Sequence, residues 1–266
     1  LADYTQAIAL EPDNALPYTD RGKVYRDMGE FEKALADYTQ AIALEPDNAL
    51  PYTSRGKVYR DMGEFEKALA DYTQAIALEP DDVFAYKGRG LLYVNMEEWE
   101  KALADYAQGI ALKPDDANNY NLRGLLYENM GEWEKALVDY TQAIALSPKD
   151  VFAYKSRGLV YAKMGEFEKA IDDYAEVIVL KSDDAEVYNI RGTLYLILRR
   201  LEDSVKDFEQ AIELEPAKFV GHNNRALVLF QIGWYAEAEA GWRTACGLEG
   251  AGSWVFAGHA VALEQL

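Results

Sequence analysis

Guanidinium and carboxylate groups recur along this chain at a fixed spacing. Arginine stands at Arg21, Arg55, Arg89, Arg123, Arg157, Arg191 and Arg225, always at the same interval. Aspartate stands at Asp3, Asp37, Asp71, Asp105, Asp139, Asp173 and Asp207 with the same period. A guanidinium fork and a carboxylate make paired, charge-assisted hydrogen bonds of defined geometry, so the chemistry on offer is repeated clamping. Two registers are open: each arginine meets either the aspartate of the series that follows it or the one that precedes it. The chain end favours the second. Gly241 replaces the next aspartate while Arg225 is kept, and His259 stands where the following arginine belongs. The backward register therefore predicts Arg21–Asp3, Arg55–Asp37, Arg89–Asp71, Arg123–Asp105, Arg157–Asp139, Arg191–Asp173 and Arg225–Asp207, each joining neighbouring repeats and setting their register.

Little else in the chain carries catalytic chemistry. His222 falls at an aromatic core position, well separated in sequence from His259, and Cys246 falls at a small core position. No Cys/His spacing resembles a zinc site, and no glycine-rich phosphate loop is present. No catalytic residue, metal or cofactor is expected. The net charge of −19 repels polyanions, so nucleic acid is not an expected partner. No apolar run approaches the ~18 residues that cross a membrane, so no membrane contact is expected. A single cysteine suits a reducing compartment such as the cytoplasm.

The elements that position these groups follow from the period itself. Ala15–Asn48 and Ala49–Asp82 differ at only two positions, Asp20/Ser54 and Asn48/Asp82, and looser copies begin at Val83, Ala117, Val151, Ala185 and Phe219. Within the first copy, Tyr18, Gly22 and Tyr25 make one stripe of a helix. Gly29 breaks it. Phe31, Ala34, Leu35, Tyr38, Ala41 and Ile42 make the stripe of a second helix, Pro46 stops it, and Asp47-Asn48 offer caps for the next. Such a unit buries its apolar face only against the next copy. The expected fold is all-α: a right-handed α-solenoid (superhelix) of stacked antiparallel helix hairpins.

These residues carry a resemblance. Tyr18, Gly22, Tyr25, Ala34, Tyr38, Ala41 and Pro46 match the signature positions of the tetratricopeptide repeat, with Arg21 in place of its leucine. The set recurs as Tyr52, Gly56, Tyr59, Ala68, Tyr72, Ala75 and Pro80. Residues 1–14 repeat the second half of a unit without an initiator methionine, so the chain reads as a piece of a longer array. Seven repeats are expected over 15–252 and a capping helix over 253–266. Departures gather late. Ser182 stands for the proline, so that second helix is expected to run on or bend; Arg199 stands for the turn glycine and Ser204 for the small alanine. His222, Ala226, Leu229 and Trp242 replace the seventh copy's Tyr, Gly, Tyr and Tyr.

The resemblance implies that the opposite face of each first helix lines a groove. At 100° per residue this face holds positions 2, 5, 9, 12 and 13 of each copy. It offers Lys23, Arg26, Lys57 and Arg60 as a basic strip, then Phe84, Lys87 and Leu91, then Asn121 and Leu125. Phe152, Lys155 and Leu159 follow, then Asn189, Asn223 and Leu227. Asparagine grips a backbone amide, Phe and Leu take apolar side chains, and Lys meets an acid. The leucines have a second reading, packing between first helices. The carboxylate clamp of chaperone-binding members is not matched, because Ser54, Phe84 and Gly88 stand at its positions. The expected function is a protein–protein interaction scaffold that binds an extended peptide, with self-association as the alternative.

Overall fold

Each first helix begins where an Asn or Asp side chain closes its open N–H groups. Asn14 and Asn48 accept from Leu16 N and Leu50 N at 3.1 Å, and Asp82 accepts from Phe84 N at 2.8 Å. The last first helix is the exception, with Lys218 at its start. The computed structural model describes residues 1–248 and 250, and among them are fifteen helices and no strand. They are α1 (Ala2–Leu10), α2 (Ala15–Asp27), α3 (Phe31–Leu44), α4 (Ala49–Asp61), α5 (Phe65–Leu78), α6 (Val83–Asn95), α7 (Trp99–Leu112) and α8 (Ala117–Asn129). Next come α9 (Trp133–Leu146), α10 (Val151–Lys163), α11 (Phe167–Leu180), α12 (Ala185–Ile197), α13 (Leu201–Leu214), α14 (Phe219–Ile232) and α15 (Tyr235–Cys246). The capping helix expected over 253–266 lies outside the described residues.

The turns are as local as the caps. Gly29, Gly63, Gly131 and Gly165 hold φ of 75–78°, the left-handed conformation that glycine adopts without strain. Two copies adopt it without glycine: Glu97 at 58° and Arg199 at 60°. Ser182 does not lengthen or bend its helix. α11 stops at Leu180, at the same point of the repeat as its counterparts, and Asp184 still caps α12. The stop thus resides in the turn and the following cap, and proline is dispensable.

The chain divides into two compact units, Leu1–Glu132 and Trp133–Leu266. In the first, α2–α3, α4–α5 and α6–α7 pack as hairpins, and α3, α5 and α7 each pack on the first helix that follows. Consecutive first helices also touch directly, α2 with α4 and α4 with α6. The second unit repeats the scheme with α10–α11, α12–α13 and α14–α15. Tyr38, Tyr72, Tyr106, Tyr140 and Tyr174 are the largest fully buried side chains. All of these hairpins but α14–α15, which has Ala226, make room for the aromatic with glycine: a Cβ at Gly22 would sit 2.9 Å from Tyr38, and one at Gly90 2.6 Å from Tyr106. Ser204, in place of alanine, is fully buried and donates to Gly192 O at 2.7 Å. The hydroxyl therefore satisfies itself inside its hairpin.

Candidate functional site

The arginine–aspartate pairs form in the register opposite to the expected one. Arg21 donates from Nε and Nη2 to Asp37, at 2.8 and 2.7 Å. Arg55 holds Asp71, Arg89 holds Asp105, Arg157 holds Asp173 and Arg191 holds Asp207, all bidentate at 2.7–2.9 Å. The expected pairs Arg21–Asp3, Arg55–Asp37, Arg89–Asp71, Arg157–Asp139 and Arg191–Asp173 are therefore corrected. Asp105, expected to serve Arg123, is held by Arg89.

The physical reason is rotation about the second helix. Both candidate aspartates lie level with the arginine, each equidistant with it from a turn. Asp3 and Thr5, however, point about 200° apart, and Thr5 is the one that faces the next repeat: Arg21 Nη1 donates to Thr5 Oγ1 at 3.3 Å. Arg55 reaches Thr39, and Arg157 reaches Thr141, in the same way. Each of these arginines thus spans two repeats, with its carboxylate in its own hairpin and a hydroxyl in the preceding one. Arg225 lacks an in-hairpin aspartate and turns to Glu209 at 2.8 Å, not Asp207; Glu209 occupies the threonine position. The guanidiniums lie between tyrosine rings, as Arg21 does at 5.9 Å from Tyr18 and 5.8 Å from Tyr25. Bonding to the acid raises the pKa of each of these five arginines.

A second joint was not legible in the sequence. In the second, third and fifth copies position 5 reaches the aspartate that caps the next first helix. Thr53 donates to Asp82 at 2.7 Å, Lys87 to Asp116 at 2.7 Å and Lys155 to Asp184 at 3.1 Å. Each aspartate serves helix and joint together. Lys87 and Lys155, expected as ligand contacts, are thus engaged between repeats. Asn121 is buried, 6% exposed, and Asn223 is 5% exposed. Asn223 accepts from Trp242 Nε1 at 3.1 Å and donates to Asn224. Asn189 donates to Ala185 O, and its buried Oδ1 has no partner. Position 5 belongs to the seam between hairpins. The signal that reveals this is the acid or amide standing just before each of the first helices from α2 to α12.

Of the remaining groove positions in the first unit, Lys23, Lys57 and Phe84 are exposed and Arg26, Arg60 and Leu91 are half-buried. In the first unit α2, α4 and α6 line one cleft of about 460 Å³ that gathers Lys23, Arg26, Lys57, Arg60, Phe84, Lys87 and Leu91. Phe84 is 72% exposed. Arg26 bonds Asp27 at 2.7 Å and Arg60 bonds Asp61 at 2.8 Å. The Arg26 fork holds the Asp27 carboxyl below its ordinary range, with Lys23 and Lys57 adding to the same field. On the floor, burial pushes the Tyr72 hydroxyl up to about 12, so it remains a neutral phenol. Leu125 on α8 is also exposed.

In the second unit Phe152, Leu159 and Leu227 are exposed, Phe152 with its ring edge-on to Tyr140 at 6.4 Å. A further cleft of about 750 Å³ lies over α12 and α14 and includes Asn189, Thr193 and Asn224.

His222 is a packed residue. Its Nε2 donates to Pro216 O at 3.0 Å, as Tyr18, Tyr52 and Tyr120 donate to Pro12, Pro46 and Pro114. Burial pushes the Cys246 thiol up, away from the reactive thiolate. Among the described residues no cluster of three or more His, Cys, Asp or Glu side chains is placed to hold a metal. No described helix is long and apolar enough to cross a membrane.

Five sequence models of one repeat family match the chain. The model described as "TPR repeat" covers 22–63 and 56–97, and four described as "Tetratricopeptide repeat" cover 3–36, 90–155, 151–184 and 185–218. No curated protein shows significant sequence similarity. Solved structures share the fold. A tetratricopeptide repeat protein from Parabacteroides merdae aligns over 94% of this chain and 98% of its own, with 19% identity and a TM-score of 0.63. MamA aligns over 62% and 96%, with 27% identity and a TM-score of 0.57. YrrB, described as a TPR protein with an unusual peptide-binding site, aligns over 69% and 95%, with 23% identity and a TM-score of 0.59.

Proposed function

This chain belongs to the tetratricopeptide-repeat family, whose repeats serve as scaffolds for protein–protein interaction, and from that premise we propose that it binds an extended peptide segment along the solvent-facing side of its first helices. The observation that carries this reading is the cleft over α2, α4 and α6, where seven side chains on the face that the repeat resemblance assigns to a groove surround one open space. Four of the seven residues come in identical pairs, Lys23/Lys57 and Arg26/Arg60, so successive hairpins present the same chemistry in sequence. A ligand that is itself periodic, an extended polypeptide, meets such a surface one repeat at a time. In the second unit Phe152, Leu159 and Leu227 are the proposed contacts. YrrB gives the fold a peptide-binding precedent.

The test is hydrogen exchange on the full chain with peptides selected from a random library against the immobilised protein. Bound peptides should slow exchange in α2, α4 and α6, and Leu91→Ala should lower their retention. Protection confined to second helices, or retention unchanged by Leu91→Ala, would overturn the reading. Light scattering that finds the peptide-free chain assembled through these same helices would replace it with self-association.

A further inference from the structure

The cleft of the first unit is a positive site on a strongly negative protein. Five cations line it (Lys23, Arg26, Lys57, Arg60 and Lys87) against one carboxylate, Asp82, while the whole chain carries −19. Asp82 is already engaged, bonding Thr53 and capping α6. Lys87 is engaged with Asp116, and the two arginines with their neighbouring aspartates. Lys23 and Lys57 are exposed and make no ion pair among the described residues. They stand at the same position of adjoining repeats. The acid whose field they share, Asp27, is already bonded by Arg26.

The cleft also has an apolar component. Leu50 and Phe84 are exposed at its rim and Leu91 lines its wall. Its floor is Gly88 over Tyr72: a Cβ at position 88 would lie 2.4 Å from Tyr72 Cζ and 2.7 Å from its Oη. Serine or leucine occupies this position in the second and fourth copies, at Ser54 and Leu122. The missing side chain brings the edge of the tyrosine ring up to the open space.

Spacing then selects the ligand. The first helices touch directly, and packed helices stand about 8–10 Å apart. A polyproline-II chain advances about 3.1 Å per residue and returns the same face every third residue, so about three ligand residues separate one lysine from the next. Resting on the groove-binding reading above, we infer that this cleft takes an acidic stretch of an extended polypeptide, with carboxylates three residues apart on Lys23 and Lys57 and an apolar side chain past the second of them, over Gly88 and Tyr72.

Fluorescence anisotropy on the full chain tests this with short labelled peptides. The probes are four copies of a Glu-Leu-Ser unit, the Gln-Leu-Ser and Lys-Leu-Ser counterparts, and a peptide of the first composition with its glutamates clustered at one end. The Glu-Leu-Ser peptide should bind about tenfold more tightly than the others, and more weakly as salt rises. The K23Q/K57Q variant should lose about tenfold, while K23R/K57R retains binding. Equal binding of the Gln-Leu-Ser peptide, or K23Q/K57Q within about twofold of the parent, overturns the acidic inference and leaves groove binding standing. Equal binding of the clustered peptide overturns the three-residue spacing. An oligothymidylate of matching length bound as tightly as the acidic peptide assigns the cleft to polyanions instead. If no peptide binds and none protects α2, α4 and α6 from exchange, both readings fall.

Discussion

Arg55 holds Asp71 with two bonds of 2.8 Å and reaches Thr39 of the preceding hairpin with a third at 3.0 Å. Asp71 is only 5% exposed, so the two halves of the pair are unequal. Arg55→Met leaves a carboxylate buried without its cation and should cost about 2–4 kcal/mol. Asp71→Asn leaves a guanidinium that still touches solvent, and should cost about 1–2 kcal/mol. Thr39→Val, which removes only the bond between repeats, should cost less than about 1 kcal/mol. Denaturant midpoints measure the order. Equal costs for Arg55→Met and Thr39→Val would show that the bond between repeats dominates.

The Lys155–Asp184 joint should give the second unit a bell-shaped pH dependence. Burial works to raise Asp184, but the Lys155 ammonium, with the Val187 N–H and Lys181 adding to it, outweighs burial and holds the carboxyl below its ordinary range. Burial works to lower Lys155, but bonds to Asp184 and Glu186 outweigh it and hold the ammonium above its ordinary range. A depressed acid contributes stability above its unfolded pKa and loses it as pH falls through the folded value. A raised base contributes below its unfolded pKa and loses it as pH rises through the folded value. The joint is therefore complete between about pH 4 and pH 10. Lys155→Met should remove about 0.5–1 kcal/mol at neutral pH and flatten both flanks in thermal melts. A parent and variant whose difference does not change with pH would count against the joint.

The caps and turns were legible because their causes lie within a few residues: Asn48 reaches the N–H of Leu50, and Gly29 needs only its own φ. The cleft over α2, α4 and α6 was legible because helical rotation puts Lys23, Lys57 and Phe84 on one side and the repeat resemblance assigns that side to a groove. The carboxylate register was not. Asp3 and Asp37 both lie level with Arg21, and level is what spacing encodes; which side of the second helix faces the next repeat depends on packing. Counting partners at the chain end misled because Arg225 found Glu209, an acid outside the aspartate series. Position 5 failed for a related reason. It sits at the edge of the outer face, and the neighbouring cap decides that Lys87 turns inward.

Two turns should be improvable. Glu97 and Arg199 hold φ of 58° and 60° where other copies place glycine. A non-glycine residue in this region costs about 1–2 kcal/mol, and glycine returns about 0.5–1 kcal/mol of that through greater unfolded-state freedom. Glu97→Gly and Arg199→Gly should each stabilise by about 0.5–1 kcal/mol, read as a higher denaturation midpoint. Arg199 also donates to Gln231 at 2.7 Å, an exposed bond whose loss trims the gain, so Glu97→Gly should show the larger effect. A lower midpoint in both variants would mean that the side chains contribute more than the backbone strain costs.

Asn223 and Phe84 should separate structural from ligand-contacting roles among residues that sequence placed on one face. Asn223 is buried and accepts the Trp242 indole N–H at 3.1 Å. Asn223→Ala strands that donor and should cost about 1–3 kcal/mol, with no change in affinity for a peptide bound over α2, α4 and α6. Phe84 is 72% exposed, so Phe84→Ala should leave stability within about 0.5 kcal/mol and weaken the same peptide several-fold, as loss of an aromatic contact does. Anisotropy and thermal melts on both variants give four numbers, and the expectation is a crossed pattern. If Phe84→Ala lowers stability and spares affinity, its ring packs in solution and the rim of the cleft must be redrawn without it.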